Sequence, residues 1–509
     1  MSRSHHISGI ASPDAPAGAQ IAPDEAARRV RLFLGCLIVF VMGASFLAAG
    51  QQFLNDPDTL WHITVGGDIW RTKSFPHVDA YSHTFTGEPW IAKEWLSQLA
   101  LFGVYSAAGW NGVALFALAL MLVVIAQVYW GLSELMKPTY AAAAAAAIIA
   151  FASTVFVARP HVVVMPVVIW FVYSLWRSAH RDEPPRLILL AAMCLWSNLH
   201  GSFTFGYVAA AGAFALYLNE HRRFRSLATW RWIGFLALLP VMSIIHPYGI
   251  EAVASTIIVA KSEALPYIGE WKPFIAPDYP LAEAALLALV FVLATSRLRL
   301  DIVTALFVCF LAHLYLTHIR FVYLFFLLAP YLIAFCAAKS FPALSAAEWV
   351  KSFGADAAEN RMAAIARPGV AIMAALCVCA FALAGHVMHL RPQQTYPIAA
   401  IDAARAHGVT GNVLNSYNYG GALIFERIPT YVDGRADRLF QGGFFREDEK
   451  LKLVGGEDAL KALTAKYNLG WSIYPVNDAH LAALDRAPDW ARIYEDDIAV
   501  VHARQPTSE

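Results

Sequence analysis

Apolar residues in this chain come in long unbroken blocks separated by short polar turns. The repeating two- or four-residue alternation of half-buried strands and helices is largely missing. Eleven runs stand out, at 32–50, 111–132, 140–158, 162–176, 187–199, 201–218, 232–245, 281–296, 302–317, 321–338 and 369–390. Each reads as a helix that is hydrophobic all round, which is the pattern of a membrane span. Several fall short of the ~20 residues that a full crossing requires, so the expected number of spans is about eleven. The turns carry a second pattern. Arg28, Arg29 and Arg31 precede the first run, and alternate threading from there puts the basic loops 177–186, 221–231, 297–299 and 339–367 on the same side. Cytoplasmic loops are enriched in Lys and Arg, so the N-terminus is expected inside and the segment after Gly50 outside.

The runs divide the chain into three parts. Residues 1–31 read as a cytoplasmic tail, rich in Ser, Ala, Pro and His and without periodicity through residue 27. A cleaved signal peptide is the rival for the start, because Ala48-Ala49-Gly50 is a small-residue exit. The first apolar run is longer than a signal core, which favours a retained anchor. Residues 32–390 form the membrane domain, with a long first external loop at 51–108. Its Trp61, Trp70, Trp90 and Trp95 have the composition of a segment lying along headgroups, and 93–105 fits an interfacial amphipathic helix. After 390 the hydropathy falls. Helical periodicity at 398–407 and 447–467 alternates with short strands at 412–417, 430–433, 471–474 and 498–503, bounded by glycine and proline. This predicts an extracytoplasmic α/β domain over 391–509, periplasmic if the cell has two membranes.

Composition agrees with the membrane reading. The 509 residues are 58% hydrophobic and 15% charged, and the mean hydropathy is +0.50. The formal charge is zero, which gives no electrostatic footprint for nucleic acid. All six cysteines lie in apolar runs and read as packing residues, without a disulfide framework or zinc spacing.

Candidate chemistry concentrates where the first run meets the external loop, at Asn55-Asp56-Pro57-Asp58-Thr59-Leu60-Trp61-His62. Pro57 is expected to hold this stretch extended and keep both carboxylates out of the preceding helix. One carboxylate can take a proton from an attacking hydroxyl and a second can bind a divalent cation. The plainer alternative makes Asp58 the N-cap of a helix starting near Thr59. Threading brings further polar residues to the same outer side: His62 and Glu94 in the loop, and Arg159, His161, His200, His246, Glu270, Trp271, His318 and Arg320 at distant helix ends. Guanidinium groups suit phosphate oxygens, though a lone Arg at a helix end also snorkels or caps. Histidines there donate to phosphate or shuttle protons, or are simply hydrogen-bonded interface residues. Glu94 is a further acid over the pocket or half of a surface ion pair. Trp271 is a sugar-stacking face or an interface anchor. In the C-terminal part, Asp433 and Arg435 lie in a polar turn after an expected strand, where an acceptor can bind or where the two can close the turn by pairing.

These stretches, with Gly66-Gly67-Asp68-Ile69-Trp70, Pro89-Trp90-Ile91-Ala92-Lys93-Glu94-Trp95-Leu96, Asn198-Leu199-His200-Gly201, His246-Pro247-Tyr248-Gly249, Glu270-Trp271-Lys272-Pro273 and Val432-Asp433-Gly434-Arg435-Ala436-Asp437, resemble a group of bacterial polytopic GT-C-like glycosyltransferases. The resemblance implies a GT-C-like helical fold in the bacterial inner membrane and transfer of sugar from a polyprenyl-phosphate donor to an envelope glycan, lipid or protein. It also implies Asp56 as base with Asp58 as its partner. Divalent metal dependence (Mg or Mn, on Asp56 and Asp58) is left open. Two rivals are a transporter or flippase of lipid-linked substrates and a non-catalytic envelope assembly factor. Against the first, no run carries a carboxylate near its middle, and no inverted pair of broken helices is visible.

Overall fold

The computed structural model describes residues 23–48, 50–153, 156–259, 262–353, 357–387, 390–436 and 438–505. Most of the expected tail and Asp437 of the last motif lie outside these residues. The helical part begins with α1 (Pro23–Ala48), so helix starts inside the expected tail. Asp24 and Glu25 supply the acidic first turn that a helix N-terminus favours, and Ala26 and Ala27 bury against Trp349 and Phe353.

The external loop does not lie flat. It opens with α2 (Pro57–Thr72), a helix buried along most of its length. Trp61 and Trp90, expected at headgroup level, are 7% and 4% exposed within a protein core, while Trp70 remains exposed. The expected interfacial helix is instead the start of α3 (Trp95–Leu135), which runs on into the bundle through a break at Ala108 and Gly109. Glycine is required there, because Gly109 has φ of 58°.

The bundle continues with α4 (Pro138–Ala152), α5 (Pro160–His180), α6 (Ile188–Leu199), α7 (Phe203–His221), α8 (Leu227–Ile244), α9 (Ile250–Val259), α10 (Pro280–Thr295), α11 (Ile302–Thr317), α12 (Val322–Ser340), α13 (Ala346–Ser352) and α14 (Ala357–Val387). Every apolar run is helical, but among the described residues only six helices are long and apolar enough to cross a membrane. The difference from eleven is mainly one of length, since α4, α6, α10 and α11 have 12 to 16 residues, and for the 19-residue α7 it is one of composition. Helix α6, with 12 residues, rises only ~18 Å against a ~30 Å hydrocarbon core. The basic loops do share one end of the bundle. Arg177 pairs with Glu134 at 3.1 Å, Arg223 with Asp182 at 2.7 Å, Lys339 with Glu220 at 2.6 Å and Arg367 with Glu25 at 3.0 Å.

Beyond the bundle lie α15 (Ile398–Ala406), β1 (Asn412–Asn415), α16 (Gly420–Phe425), α17 (Phe444–Glu449), α18 (Gly456–Tyr467), β2 (Leu469–Pro475), α19 (Leu481–Arg486), β3 (Trp490–Glu495) and β4 (Ala499–Arg504). They build a four-stranded sheet of order β1-β2-β4-β3, parallel only between β1 and β2. Two expectations need correction. The helix expected at 447–467 is two helices, because Gly455 has φ of 82° between them. The strand expected at 430–433 is a single bridge from Thr430 to Ser82 of the external loop, and β3 was not foreseen.

That bridge shows how this domain is held. Tyr431, Val432, Ala436 and Leu439 share one core with Trp61, Val65, Trp90 and Ala92 of the loop. At its centre Arg435 is fully buried: Nε and Nη2 donate to both oxygens of Asp433 at 2.7 Å, and Nη1 donates to Asp79 of the loop. Its guanidinium also lies 5.0 Å from the ring of Trp90 and 5.1 Å from that of Tyr81. Removing the cation strands two buried carboxylates. Arg435→Leu is therefore expected to cost about 3–5 kcal/mol in chemical denaturation and to make the C-terminal domain releasable by limited proteolysis; an unchanged denaturation midpoint would refute this role.

Candidate active site

The acidic stretch folds as a helix start. Asp56 is the N-cap of α2, its Oδ1 accepting from the Asp58 backbone N–H at 2.9 Å, and Pro57 occupies the first turn, where it has no N–H to leave unpaired. Pro57 thus begins a helix instead of holding the stretch extended, and the cap is Asp56 where the plainer reading had Asp58. The helix then sets the next contact. Three residues on from Asp58, Trp61 lies on the same face, and its Nε1–H donates to Asp58 Oδ1 at 3.0 Å.

Arg159, the residue before α5, enters this turn from the bundle. Its Nη2 donates to Asp58 Oδ2, and its Nη1 is 3.4 Å from Asp56 Oδ2 and 3.0 Å from Glu270 Oε2. Glu270 is held on its other oxygen by Arg320 at 3.2 Å, and the Arg320 guanidinium lies 4.1 Å above the Trp271 ring. Three carboxylates and two guanidiniums therefore share one site. Burial would raise the Glu270 carboxyl, but Arg159 and then Arg320 outweigh it and hold it down to about 2. Asp56 is different. Its burial, with Asp58 and Glu270 close by, outweighs the more distant Arg159 and pushes its carboxyl up to about 7.

A second group adjoins the first. Glu94 Oε1 is 3.4 Å from His200 Nε2, and its Oε2 is 3.8 Å from His62 Nε2. His200 Nδ1 accepts from the Ser202 backbone N–H at 3.1 Å, and His62 Nδ1 faces the Gln98 amide at 3.3 Å. Both rings thus turn Nε2–H toward Glu94, and burial keeps both well below the usual imidazole range, so they are neutral donors. His161 stands 6.5 Å from His200 and 5.8 Å from Tyr323, ring to ring.

The other sequence candidates are engaged with other partners. His246 Nε2 is 3.1 Å from the Lys93 carbonyl, and His318 Nδ1 is 2.7 Å from the Trp271 carbonyl, so each ties a loop to a helix end. Asp433 and Arg435 are closed off from solvent and engaged with each other and Asp79. Their position matches the turn-closing alternative, and an acceptor cannot reach them without separating the domain from the loop. A divalent ion on Asp56 and Asp58 does not fit this arrangement. Both Asp58 oxygens and Asp56 Oδ1 already accept hydrogen bonds, and the Arg159 guanidinium occupies the cation position. Among the described residues, a three-ligand group of metal-binding geometry, His180, Glu220 and Asp301, lies instead at the basic end, where Lys339 sits 2.6 Å from Glu220.

Sequence reasoning missed Gly434. A Cβ there would lie 1.9 Å from Asp58 Oδ1 and 2.8 Å from Trp61 Nε1, and one on Gly421 would lie 1.8 Å from the Pro57 carbonyl oxygen. The C-terminal domain therefore forms the outer wall of the acidic turn. The one signal was a glycine between two charged residues in Asp433-Gly434-Arg435, which marks a turn without naming what it touches.

No family model matches this chain, and no curated protein matches it. Among solved structures, the oligosaccharyltransferase of Archaeoglobus fulgidus in the apo form matches with a TM-score of 0.48 at 11% identity, over 86% of this chain and 69% of that one. ArnT from Cupriavidus metallidurans, bound to undecaprenyl phosphate, matches with a TM-score of 0.49 at 15% identity, over 93% and 98%. Overlaps of this size leave the chemistry to be argued from the side chains. By its own helices the chain is a multi-pass membrane protein carrying a small C-terminal sheet domain.

The fit of Gly434 gives a direct test. Gly434→Ala is expected to push the Asp58 carboxylate off the Trp61 indole and to cost about 1–3 kcal/mol in thermal or denaturant unfolding, as overpacking does. A Trp61 indole N–H resonance unmoved from wild type would show that the contact is not made.

Proposed function

We propose that this protein is an integral membrane glycosyltransferase of GT-C type, working at the outer face of the cytoplasmic membrane with its N-terminus inside and its C-terminal domain in the periplasm. It moves a sugar from a polyprenyl-phosphate donor to an envelope glycan, lipid or protein. One arrangement carries the reading: Asp56 is a buried carboxylate at a helix N-terminus, with one oxygen 3.4 Å from a guanidinium that it shares with Asp58 and Glu270, and burial pushes its carboxyl up to about 7. A base poised near the working pH is what activation of a hydroxyl needs.

In the reaction, Asp56 Oδ2 takes the proton of the acceptor hydroxyl as that oxygen bonds to the anomeric carbon. The bond from that carbon to the phosphate oxygen breaks, and polyprenyl phosphate leaves with the electron pair. Asp58, held at both oxygens by Trp61 and Arg159, positions the guanidinium and does not itself move a proton. Arg320 uses one nitrogen on Glu270 and keeps the rest of its fork for phosphate oxygens. His200 holds Glu94 through its Nε2–H, and the His161 ring stands beside it on the bundle side. Preorganised donors in a dry pocket stabilise the charge that develops on the leaving group.

The pH dependence has a defined sign. Asp56 acts only when ionised, so kcat/KM for transfer from a radiolabelled lipid-linked sugar is expected to rise about tenfold per unit below pH 7 and level off above it. Asp56→Asn is expected to lower transfer by roughly 10²–10⁴-fold and to abolish that pH limb. Full glycan transfer by Asp56→Asn in a strain lacking the native gene would exclude Asp56 as the base. Movement of the lipid-linked substrate across proteoliposomes without a covalent product would favour the flippase.

A further inference from the structure

A cleft of about 350 Å³ opens between the C-terminal half of α2 and the C-terminal domain, at the other end of α2 from Asp56 and Asp58. Its lining is mixed, with the apolar Pro76, Ile428 and Pro429 beside the polar Asp68, Tyr81 and Arg427. The polar groups form an ordered set. Asp68 Oδ2 accepts from the Tyr81 hydroxyl at 2.9 Å and from Arg427 Nη1 at 2.9 Å, and Asp68 Oδ1 accepts from Arg71 at 2.5 Å. Arg427 uses only this one nitrogen among the described residues, so most of its fork remains for a ligand.

The backbone shows a second, independent feature. Arg427 has φ of 61°, the left-handed region that favours glycine, at the position after the α16 C-cap where glycine is common. Helix packing alone does not call for arginine at this position. A non-glycine residue held there over a cleft, with a guanidinium aimed across it at a carboxylate of another part of the chain, points to selection for the side chain.

We propose that this cleft binds a single sugar ring. A pyranose offers an apolar C–H face and a rim of hydroxyls that donate and accept in one plane. The apolar lining of Pro76, Ile428 and Pro429 fits the face. The Arg427 fork, the open lone pair of Asp68 and the exposed hydroxyls of Thr72 and Ser74 fit the rim. An inorganic anion has no use for the apolar lining, and an alkyl chain has none for the carboxylate. Asp68 is ten residues beyond Asp58, so the cleft lies ~15 Å along α2 from the acidic turn. If the transferase proposal holds, on which this one step rests, the ring is a unit of a glycan acceptor bound a few sugars from its reacting hydroxyl.

The test is saturation-transfer NMR on the full chain in nanodiscs without donor, using N-acetylglucosamine and glucose as probes and cyclohexanol as the apolar control. Transfer to the sugar ring protons is expected from wild type. Two variants should weaken binding about tenfold, the worth of a lost charged hydrogen bond. Arg427→Gly removes the fork while relaxing the positive φ, so it should fold. Ala80→Trp fills the cleft from an exposed lining position. No sugar signal from wild type, or equal sugar signals from all three proteins, would overturn the proposal. So would a sugar signal lost in Asp56→Asn, which would place the ring at the acidic turn. Wild type that binds sugar here but transfers none when the radiolabelled lipid-linked donor is added in a separate assay overturns the transferase reading and leaves the cleft assignment standing.

Discussion

Three carboxylates within reach of one another, two of them buried, repel strongly unless a cation lies among them, and Arg159 is that cation. At 4 Å a like-charge pair costs about 4 kcal/mol even at an intermediate effective dielectric. Arg159 is contributed by the start of α5, Asp56 and Asp58 by α2, and Glu270 by the short turn between α9 and α10, so one guanidinium ties three distant parts of the chain to one point. Such a cluster adds little net stability, since desolvation offsets the attraction. Its effect is to fix geometry. Glu270 and Asp58 take the close contacts of Arg159, and Asp56 lies farther from it. Burial pushes the carboxyls of both aspartates up, whereas the two guanidiniums hold Glu270 down.

The outer wall depends on a second buried cation in the same way. Arg435 neutralises Asp79 of the external loop and Asp433 of the C-terminal domain, and the turn it fixes carries Gly434 against Asp58. Loop and C-terminal domain therefore cannot be treated as an independent linker and module, because their contact is one of the surfaces that shape the acidic turn. An assembly-factor role for the C-terminal domain alone is hard to reconcile with a surface so committed to the loop.

Much of this was legible in the sequence, for identifiable reasons. Long apolar runs specify helices without ambiguity, and alternate threading correctly grouped the basic loops at one end, because both depend on local composition. The same threading brought Arg159, His200 and Arg320 toward the acidic turn from positions far apart in the chain. What it could not supply was distance. His246 and His318 sit at the same end as Arg159 but turn to backbone carbonyls, and only packing decides that. Run length alone does not fix the number of spans, since a short apolar run can be a helix shielded by neighbours as well as a span. The external loop was misread for the same reason. Its tryptophans match an interface belt in composition, yet Trp61 and Trp90 are covered by a domain more than 300 residues later, and no local pattern announces a partner that distant.

Asp56-Pro57-Asp58 shows how the chemistry follows from the local rule that sequence reading set aside. Taken as an extended segment, the pair offers two equivalent exposed acids suited to a shared metal ion. Taken as a helix start, the pair is no longer symmetric. The cap residue spends one oxygen on a backbone N–H and leaves the other 3.4 Å from Arg159, whereas the residue two positions on is turned toward the indole three residues further along and takes the closer nitrogen of Arg159. Proline in the first turn enforces this, because it fixes where the helix begins and so which aspartate is the cap. The structural asymmetry between the two carboxylates is therefore already contained in the capping geometry, before any substrate is present.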